Sequence, residues 1–412
     1  MILRDYQVEI SDKAVKILRK YKLVYLAMEV RTGKTLTSLA TAYLFGAKRI
    51  LFVTKKKAID DIVKQAASMR FDMEVYVTNY EQLHNIEYGW DLVIIDEAHS
   101  LGAFPIASGR AKELKRICVA TPIIYLSGTP TPESYSQIFH QFWVSTFSPF
   151  AFYKTFYKWA IDYVSVSKKW IGGHAHNDYS NADQTMIDGV AKHLFLTYTQ
   201  EEAGFESLVK ENICYVKMQP STYSFANRLK IDKIITNGES QSVLADTGVK
   251  LMSKLHQIYS GSVIIDEPSR EAKAFDYSKA EFIRDKFKGQ RIAIFYKFAA
   301  ELAILSWALG EQIGFDVDGF NSGKFNIFAS QILSGREGIN LSSADALVFF
   351  NIDFSATSYW QARARLQTKD REKEAQIYWI FSEGGIEDKI YKAVCEKKDY
   401  TLSHFVKDFE VK

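Results

Sequence analysis

The sequence predicts an α/β chain of two parallel-sheet units in tandem, with a helical insertion between them, and three observations predict it. The apolar run Leu23 to Ala27 passes through Met28-Glu29-Val30-Arg31-Thr32-Gly33-Lys34-Thr35 into the helix-like run Leu36 to Leu44. That is the order of a strand, a phosphate loop and a helix. A second continuous apolar run, Leu92 to Ile95, suits a central parallel strand buried on both faces and ends in Asp96 and Glu97. Beyond Glu201 strand-like and helix-like segments alternate again, as in a second parallel sheet. The division expected is residues 1–140 for the first unit, 141–200 for the insertion and 201–412 for the second unit.

The loop defines the chemistry. Backbone N–H groups around Arg31, Thr32 and Gly33 would cradle phosphate with the help of the helix N-terminus. Lys34 would reach the β and γ phosphates of ATP, and the Thr35 hydroxyl would hold Mg2+. The general pattern has a further glycine five places before Gly33, where Met28 stands, and Arg31 takes a position that a small residue often fills. Asp96 arrives at the C-terminal edge of its strand, where open α/β sheets bind ligands, and would hold the same Mg2+. Glu97 would orient and deprotonate the attacking water. Loop and acids are complementary parts of one phosphoryl-transfer site.

Composition is that of an ordinary globular chain: 412 residues, 47% hydrophobic and 25% charged. With 52 Lys plus Arg against 49 Asp plus Glu, the net charge of +3 does not by itself point to a polyanionic partner, so any nucleic-acid surface must come from segregated charge. Cys118, Cys214 and Cys395 lie far apart, which argues against a zinc knuckle or a disulfide framework and fits a reducing compartment. No apolar run approaches the roughly twenty residues that span a bilayer. A soluble cytoplasmic monomer without membrane contact is expected.

In chain order, Leu3 to Gln7 precedes an amphipathic helix with Val8, Val15, Ile17, Leu18 and Tyr21 as apolar positions and Ser11 or Asp12 as its cap. Arg49 to Thr54 reads as a buried strand running into Lys55, Lys56 and Lys57, lysines that are either solvated or placed to grip a nucleic-acid phosphate. Val75 to Thr78 repeats the pattern and continues into Asn79. Ile123 to Leu126 is a short strand ending in Ser127-Gly128-Thr129-Pro130, where the hydroxyls of Ser127 and Thr129 can couple the γ-phosphate region to a nucleic-acid path. From Ile138 to Trp170 aromatic residues dominate, with Lys154, Lys158, Lys168 and Lys169 between them. At helical spacing these aromatics suit a packed core, and stacking on nucleic acid is the competing reading. The stretch from Gly172 to Asp188 is polar, and its His174 and His176 are expected at the surface rather than on a metal. In the second unit, Ile213 to Met218, Ile292 to Phe295, Asn326 to Ala329 and Ala346 to Phe350 read as strands and Tyr223 to Ile235 as a helix. No phosphate loop recurs there.

In this order the motifs resemble a superfamily 2 ATPase with Asp96-Glu97-Ala98-His99 as its DEAH box, and more narrowly the Swi/Snf-type DNA translocases, small phage-encoded members included. The resemblance covers nearly the whole chain and implies two RecA-like domains of the P-loop NTPase class, with ATP in the cleft between them and nucleic acid running across both. Tyr6-Gln7 is similar to the adenine-reading element, in which the Gln7 amide donates and accepts at once. Lys55, Thr78 and Asn79 in the first unit and Tyr296 and Ser334 in the second resemble nucleic-acid contacts. Ser334 to Leu341 is similar to the Gly-Ile-Asn-Leu element, which places Gly338 by the nucleotide. Asp353 to Arg365 resembles the final arginine motif, with Gln361 coupling the sites and Arg365 stabilising charge on the transferring phosphoryl group. The family's second arginine falls at Thr368, so Arg363, Lys369 or Arg371 would have to substitute, and Arg336 is a further candidate. Ser278-Lys279 and Glu383 to Ile390 are lesser similarities.

The function implied is an ATP-dependent, Mg2+-requiring motor that translocates on or remodels duplex or branched DNA, with RNA as the other possible track. The same motifs also suit a strand-separating DNA or RNA helicase. A reading from another class is a non-catalytic module in which ATP switches DNA affinity.

Overall fold

The computed structural model describes residues 3–171, 174–204, 209–237, 241–266, 271–332, 341, 343–355, 359 and 375–395. The chain forms two compact units, Met1–Phe205 and Glu206–Lys412.

The first unit opens with α1 (Asp5–Tyr21), β1 (Leu23–Met28), α2 (Lys34–Phe45), β2 (Arg49–Thr54), α3 (Ile59–Met69), β3 (Glu74–Asn79) and β4 (Leu92–Asp96). It continues with α4 (Gly109–Ile117), β5 (Ile123–Leu126), α5 (Gln137–Trp143), α6 (Phe156–Tyr163), β6 (Ser167–Ile171), β7 (His174–Asp178), α7 (Gln184–Ala191) and β8 (Phe195–Tyr198). Six of these strands make one sheet in the order β3-β2-β4-β5-β1-β8, and every pairing in it is parallel. Side chains alternate between two apolar layers, as the pleat requires. Val24, Leu26, Phe52 and Ile94 pack with Ile10, Leu18 and Leu39 on one face. Tyr25, Leu51, Val93 and Tyr125 pack with Phe139, Phe142, Phe150, Phe156 and Trp159 on the other. Most of the aromatic segment is thus core, although Phe152 is 90% exposed.

Three details depart from the sequence reading. α1 starts at Asp5 with Arg4 as its cap, and Ser11 is a buried mid-helix residue whose hydroxyl donates to the carbonyls of Gln7 (2.7 Å) and Thr37 (3.2 Å). The hydroxyl finds backbone acceptors inside the fold, so it is not spent at a terminus. The polar stretch after Ile171 is not a plain loop. β6 and β7 pair antiparallel, so the insertion is not purely helical. Phe195–Tyr198, at the end of that insertion in sequence, forms β8 and pairs with β1.

The second unit runs β9 (Val209–Val216), α8 (Pro220–Asp232), β10 (Ile234–Asn237), β11 (Gln241–Leu244), α9 (Gly248–Ile258), β12 (Ser262–Ile265), β13 (Glu271–Ala274), α10 (Ser278–Lys286) and β14 (Ile292–Tyr296). It continues α11 (Ala299–Leu309), β15 (Ile313–Gly314), α12 (Val317–Asn321), β16 (Ile327–Gln331), β17 (Ala346–Phe349), β18 (Ala375–Ser382) and α13 (Glu387–Cys395). Its sheet, β15-β16-β14-β17-β18-β9, is also parallel throughout. The tandem RecA-like α/β class expected from the sequence is therefore the class observed. The helix expected to reach Ile235 stops at Asp232, because Lys233 turns left-handed (φ 62°) and Ile234 and Ile235 enter β10 instead.

Candidate active site

Sheet register assembles the site. β5 lies between β1 and β4, and Leu126 is level with Leu26 on one side and Asp96 on the other. The loop leaving β1 and the acids ending β4 therefore open at one C-terminal sheet edge, one strand apart.

The loop between β1 and α2 depends on two left-handed residues, Arg31 (φ 63°) and Gly33 (φ 81°). The left-handed conformation favours glycine at Gly33, and a Cβ there would also have to displace the Gln7 amide, 2.1 Å away at Nε2. Gly33 caps α2 without a side-chain hydrogen bond, so the positive end of the helix carries no side-chain cap. Lys34 Nζ donates to the carbonyls of Met28 (2.9 Å) and Glu29 (3.1 Å). Burial pushes the Arg31 guanidinium down to about 10. Gln7 is 3% exposed, its Oε1 accepts from Arg4 N (2.9 Å) and its Nε2 donates to the Gly33 carbonyl (3.4 Å). So placed, the amide braces the phosphate loop, and an adenine edge would compete with those two bonds.

At the end of β4, Asp96 Oδ2 accepts from Thr54 Oγ1 (2.8 Å), and burial, then the neighbouring Glu97 charge, push its carboxyl up to about 6. Glu97 itself is held at φ 52°, a conformation that only a strong local framework imposes on a residue with a side chain. Part of that framework is Tyr80, whose hydroxyl donates to the Asp96 carbonyl (2.5 Å). His99 Nδ1 lies 3.3 Å from Glu97 Oε2 and 2.9 Å from Ser127 Oγ, and Ser127 Oγ accepts from Thr129 N (3.1 Å). A line of polar contacts therefore runs from the acid pair into the turn that the sequence reading assigned to coupling.

The donor set suits Mg2+. Thr35 and Asp96 offer hard oxygen ligands, and a carboxylate pair that resists full ionisation gains from a nearby cation. Among the described residues no group of three or more His, Cys, Asp or Glu could hold a metal.

The expected nucleic-acid residues fare differently. Lys55 follows β2 at the same sheet edge and is half-buried. Thr78 and Asn79 are 5% and 7% exposed, and Asn79 Oδ1 accepts from Glu81 N (3.0 Å) and Gln82 N (3.1 Å), which leaves little of either side chain for a ligand. Tyr296 ends β14 in the second unit. There α11 follows β14 as α2 follows β1, but Glu301 Oε2 accepts from Lys297 N (2.7 Å) and Phe298 N (3.0 Å). A carboxylate of the chain thus stands at the N-terminus of α11, whereas α2 has no side-chain cap. Ser334, Arg336, Gly338, Gln361, Arg363, Arg365, Thr368, Lys369 and Arg371 lie outside the described residues.

Sequence reasoning missed Glu29, Thr54, His99, Tyr198 and Gln200. Tyr6 stacks on Tyr198 (4.7 Å between centroids) and donates to the Thr32 carbonyl (3.0 Å), while Gln200 Nε2 donates to the Val30 carbonyl (2.8 Å). A polar residue closing a buried strand could have flagged Thr54, and the motif's last residue could have flagged His99. No local signal marks Gln200.

These features define a tandem RecA-like protein in which the loop after β1 and the Asp96–Glu97 pair open at one sheet edge. The family profile described as SNF2-related domain matches residues 47–264, more than half of the chain, and one described as Type III restriction enzyme, res subunit, matches residues 1–73. The chain belongs to the SNF2-related domain family. It is 35% identical over 75 residues to the DNA repair and recombination protein RAD26 of Saccharomyces cerevisiae (18% of this chain, 7% of that protein). It is 33% identical over 141 residues to the human chromodomain-helicase-DNA-binding protein 1 (30% and 8%). It is 29% identical over 175 residues to the Drosophila melanogaster SWI/SNF-related matrix-associated actin-dependent regulator of chromatin, subfamily A containing DEAD/H box 1 homolog (39% and 21%). The matched stretches thus span no more than 21% of the length of these three relatives. A solved structure, the Sulfolobus solfataricus SWI2/SNF2 ATPase core domain, aligns over 96% of this chain and 89% of its own at 16% identity and a TM-score of 0.42. No helix among the described residues is long and apolar enough to cross a membrane.

Proposed function

We propose that this chain is an ATP-hydrolysing motor of the Swi/Snf type that moves on or remodels DNA. The observation that carries the reading is the phosphate loop and the Asp96–Glu97 pair opening together at one sheet edge. The names of the relatives, which speak of DNA repair, recombination, chromatin and DNA binding, support DNA as the partner.

In this reading the N-terminus of α2 and the loop amides bind the phosphates, and Lys34 leaves its two carbonyls to neutralise charge on the β and γ groups. Thr35 and Asp96 hold Mg2+, which when bound neutralises phosphate charge and orients the triphosphate. Glu97 orients the attacking water and accepts its proton. His99, between Glu97 and Ser127, ties the state of the base to the Ser127–Thr129 turn. Arg365 stabilises the charge on the transferring group, a contribution of about 10³ to 10⁵ in rate for such arginines.

The test is phosphate release at fixed salt, alone and with single-stranded DNA, duplex DNA, branched DNA or RNA. Weak intrinsic turnover that rises with duplex or branched DNA is expected. Stimulation by RNA alone, or by no nucleic acid, overturns the reading. Triplex displacement without strand displacement is the expected signature of tracking as opposed to unwinding.

A further inference from the structure

The carbonyls of Met28, Glu29, Val30, Thr32 and Gly33 all accept hydrogen bonds, and three of the donors are distant in sequence: Tyr6, Gln7 and Gln200. Gln200 grips twice. Its side chain donates to the Val30 carbonyl (2.8 Å), and its backbone N–H donates to Glu29 Oε2 (3.0 Å). Just before it, Glu29 N donates to the Tyr198 carbonyl (2.9 Å), extending the β1–β8 ladder into the loop.

The chain beyond Tyr198 is braced on itself. Glu202 Oε2 accepts from Thr199 N (2.7 Å) and Thr199 Oγ1 (3.0 Å), and Tyr198 donates to the Glu202 carbonyl (2.9 Å). Ala203 N donates to the Thr199 carbonyl (3.2 Å) and Gly204 N to that of Glu201 (2.9 Å). The second unit begins at Glu206. The last turn of the first unit is therefore a stiff piece fastened to the phosphate loop at Gln200.

We infer that the Gln200 clasp couples occupancy of the phosphate loop to the segment through which the chain enters the second unit, with Gln200 as a positioning residue. The inference deepens the ATP reading and rests on it. When Lys34 gives up the Met28 and Glu29 carbonyls for phosphate, each carbonyl loses that donor, and the Glu29 carbonyl is left to Thr32, whose hydroxyl donates to it (2.7 Å). Gln200, bonded to Glu29 and Val30, receives that change directly. A ligand shifts a remote segment only through contacts that differ between its two states, and this clasp supplies such contacts.

Hydrogen exchange of the whole chain, with and without Mg2+ and a non-hydrolysable ATP analogue at saturation, tests it. In the unsubstituted protein the analogue is expected to slow exchange at residues 29–35 and also at 199–204, by about tenfold, a hydrogen bond's worth. Gln200→Met, similar in size but without a side-chain donor, is expected to keep the protection at 29–35 and lessen that at 199–204, since its backbone N–H still reaches Glu29, and Gln200→Lys, which retains a side-chain donor, to restore it. Protection at 29–35 with none at 199–204 in the unsubstituted protein overturns the coupling alone. Equal protection of 199–204 in Gln200→Met overturns it as well. No protection at 29–35 in the unsubstituted protein overturns the nucleotide reading, and the coupling with it. Should Gln200→Met not fold, the unsubstituted protein alone decides.

Discussion

Glu97 sits at φ 52° beside Asp96 and His99, and the roles proposed for these side chains separate under substitution. Glu97→Gln should bind ATP yet lose turnover by roughly 10² to 10⁴, the usual worth of a general base. Binding and single-turnover hydrolysis measured together check this, and hydrolysis at the unsubstituted rate would remove Glu97 from the mechanism. Lys34→Ala should abolish nucleotide binding in the same assay. Asp96 makes a prediction about pH. Its folded pKa of about 6 lies above the ordinary 3.8, so between those values the folded chain holds more protons than the unfolded one. Stability from this group is present at low pH and lost as pH rises through about 6. Without nucleotide or Mg2+, Asp96→Asn should therefore raise the calorimetric Tm more at about pH 8 than at about pH 5. An equal gain at both would mean that the carboxylate is not strained by burial.

Between β1 and α2, Gly33 stands at φ 81°, and a Cβ there would push against the Gln7 amide on α1. Gly33→Ala should cost nucleotide affinity while the fold, read by circular dichroism, survives. Retained affinity would show that α1 does not constrain the loop. In the second unit α10 and α13 are joined by Lys279 Nζ and Glu387 Oε1 at 2.5 Å, with side chains 1% and 0% exposed. Removing one partner strands a buried charge, so Lys279→Met should cost about 3–5 kcal/mol in urea unfolding, and adding Glu387→Leu should recover most of it. A double substitution no more stable than the single would show that the pair was not held by mutual compensation. The sequence offered Ser278-Lys279 and Glu383 to Ile390 as two separate resemblances. Only the packing shows that they are the two ends of one contact.

For the whole chain, a net charge of +3 leaves the proposed DNA affinity to local groups, and affinity from phosphate contacts falls as salt rises. DNA stimulation of ATP turnover should weaken steeply between about 50 and 200 mM salt, and Lys55→Ala should reduce the log–log slope by about one. A salt-independent response would exclude backbone contacts as the grip. The class of fold was legible because parallel strands buried on both faces write themselves as continuous apolar runs, and Gly33-Lys34-Thr35 and Asp96-Glu97 mark where those runs end. The sequence by itself determined that there are two such sheets in tandem and that one of them carries Gly33-Lys34-Thr35 and Asp96-Glu97 after its strands. Tertiary structure alone decided that β5 seats the acids one strand from the loop, that Thr54 holds Asp96, and that β8 returns from beyond the aromatic insertion to bring Gln200 onto the loop. Lateral strand order and contacts between residues as far apart as Glu29 and Gln200 leave no periodicity in the chain, because they arise only when the sheet closes side by side.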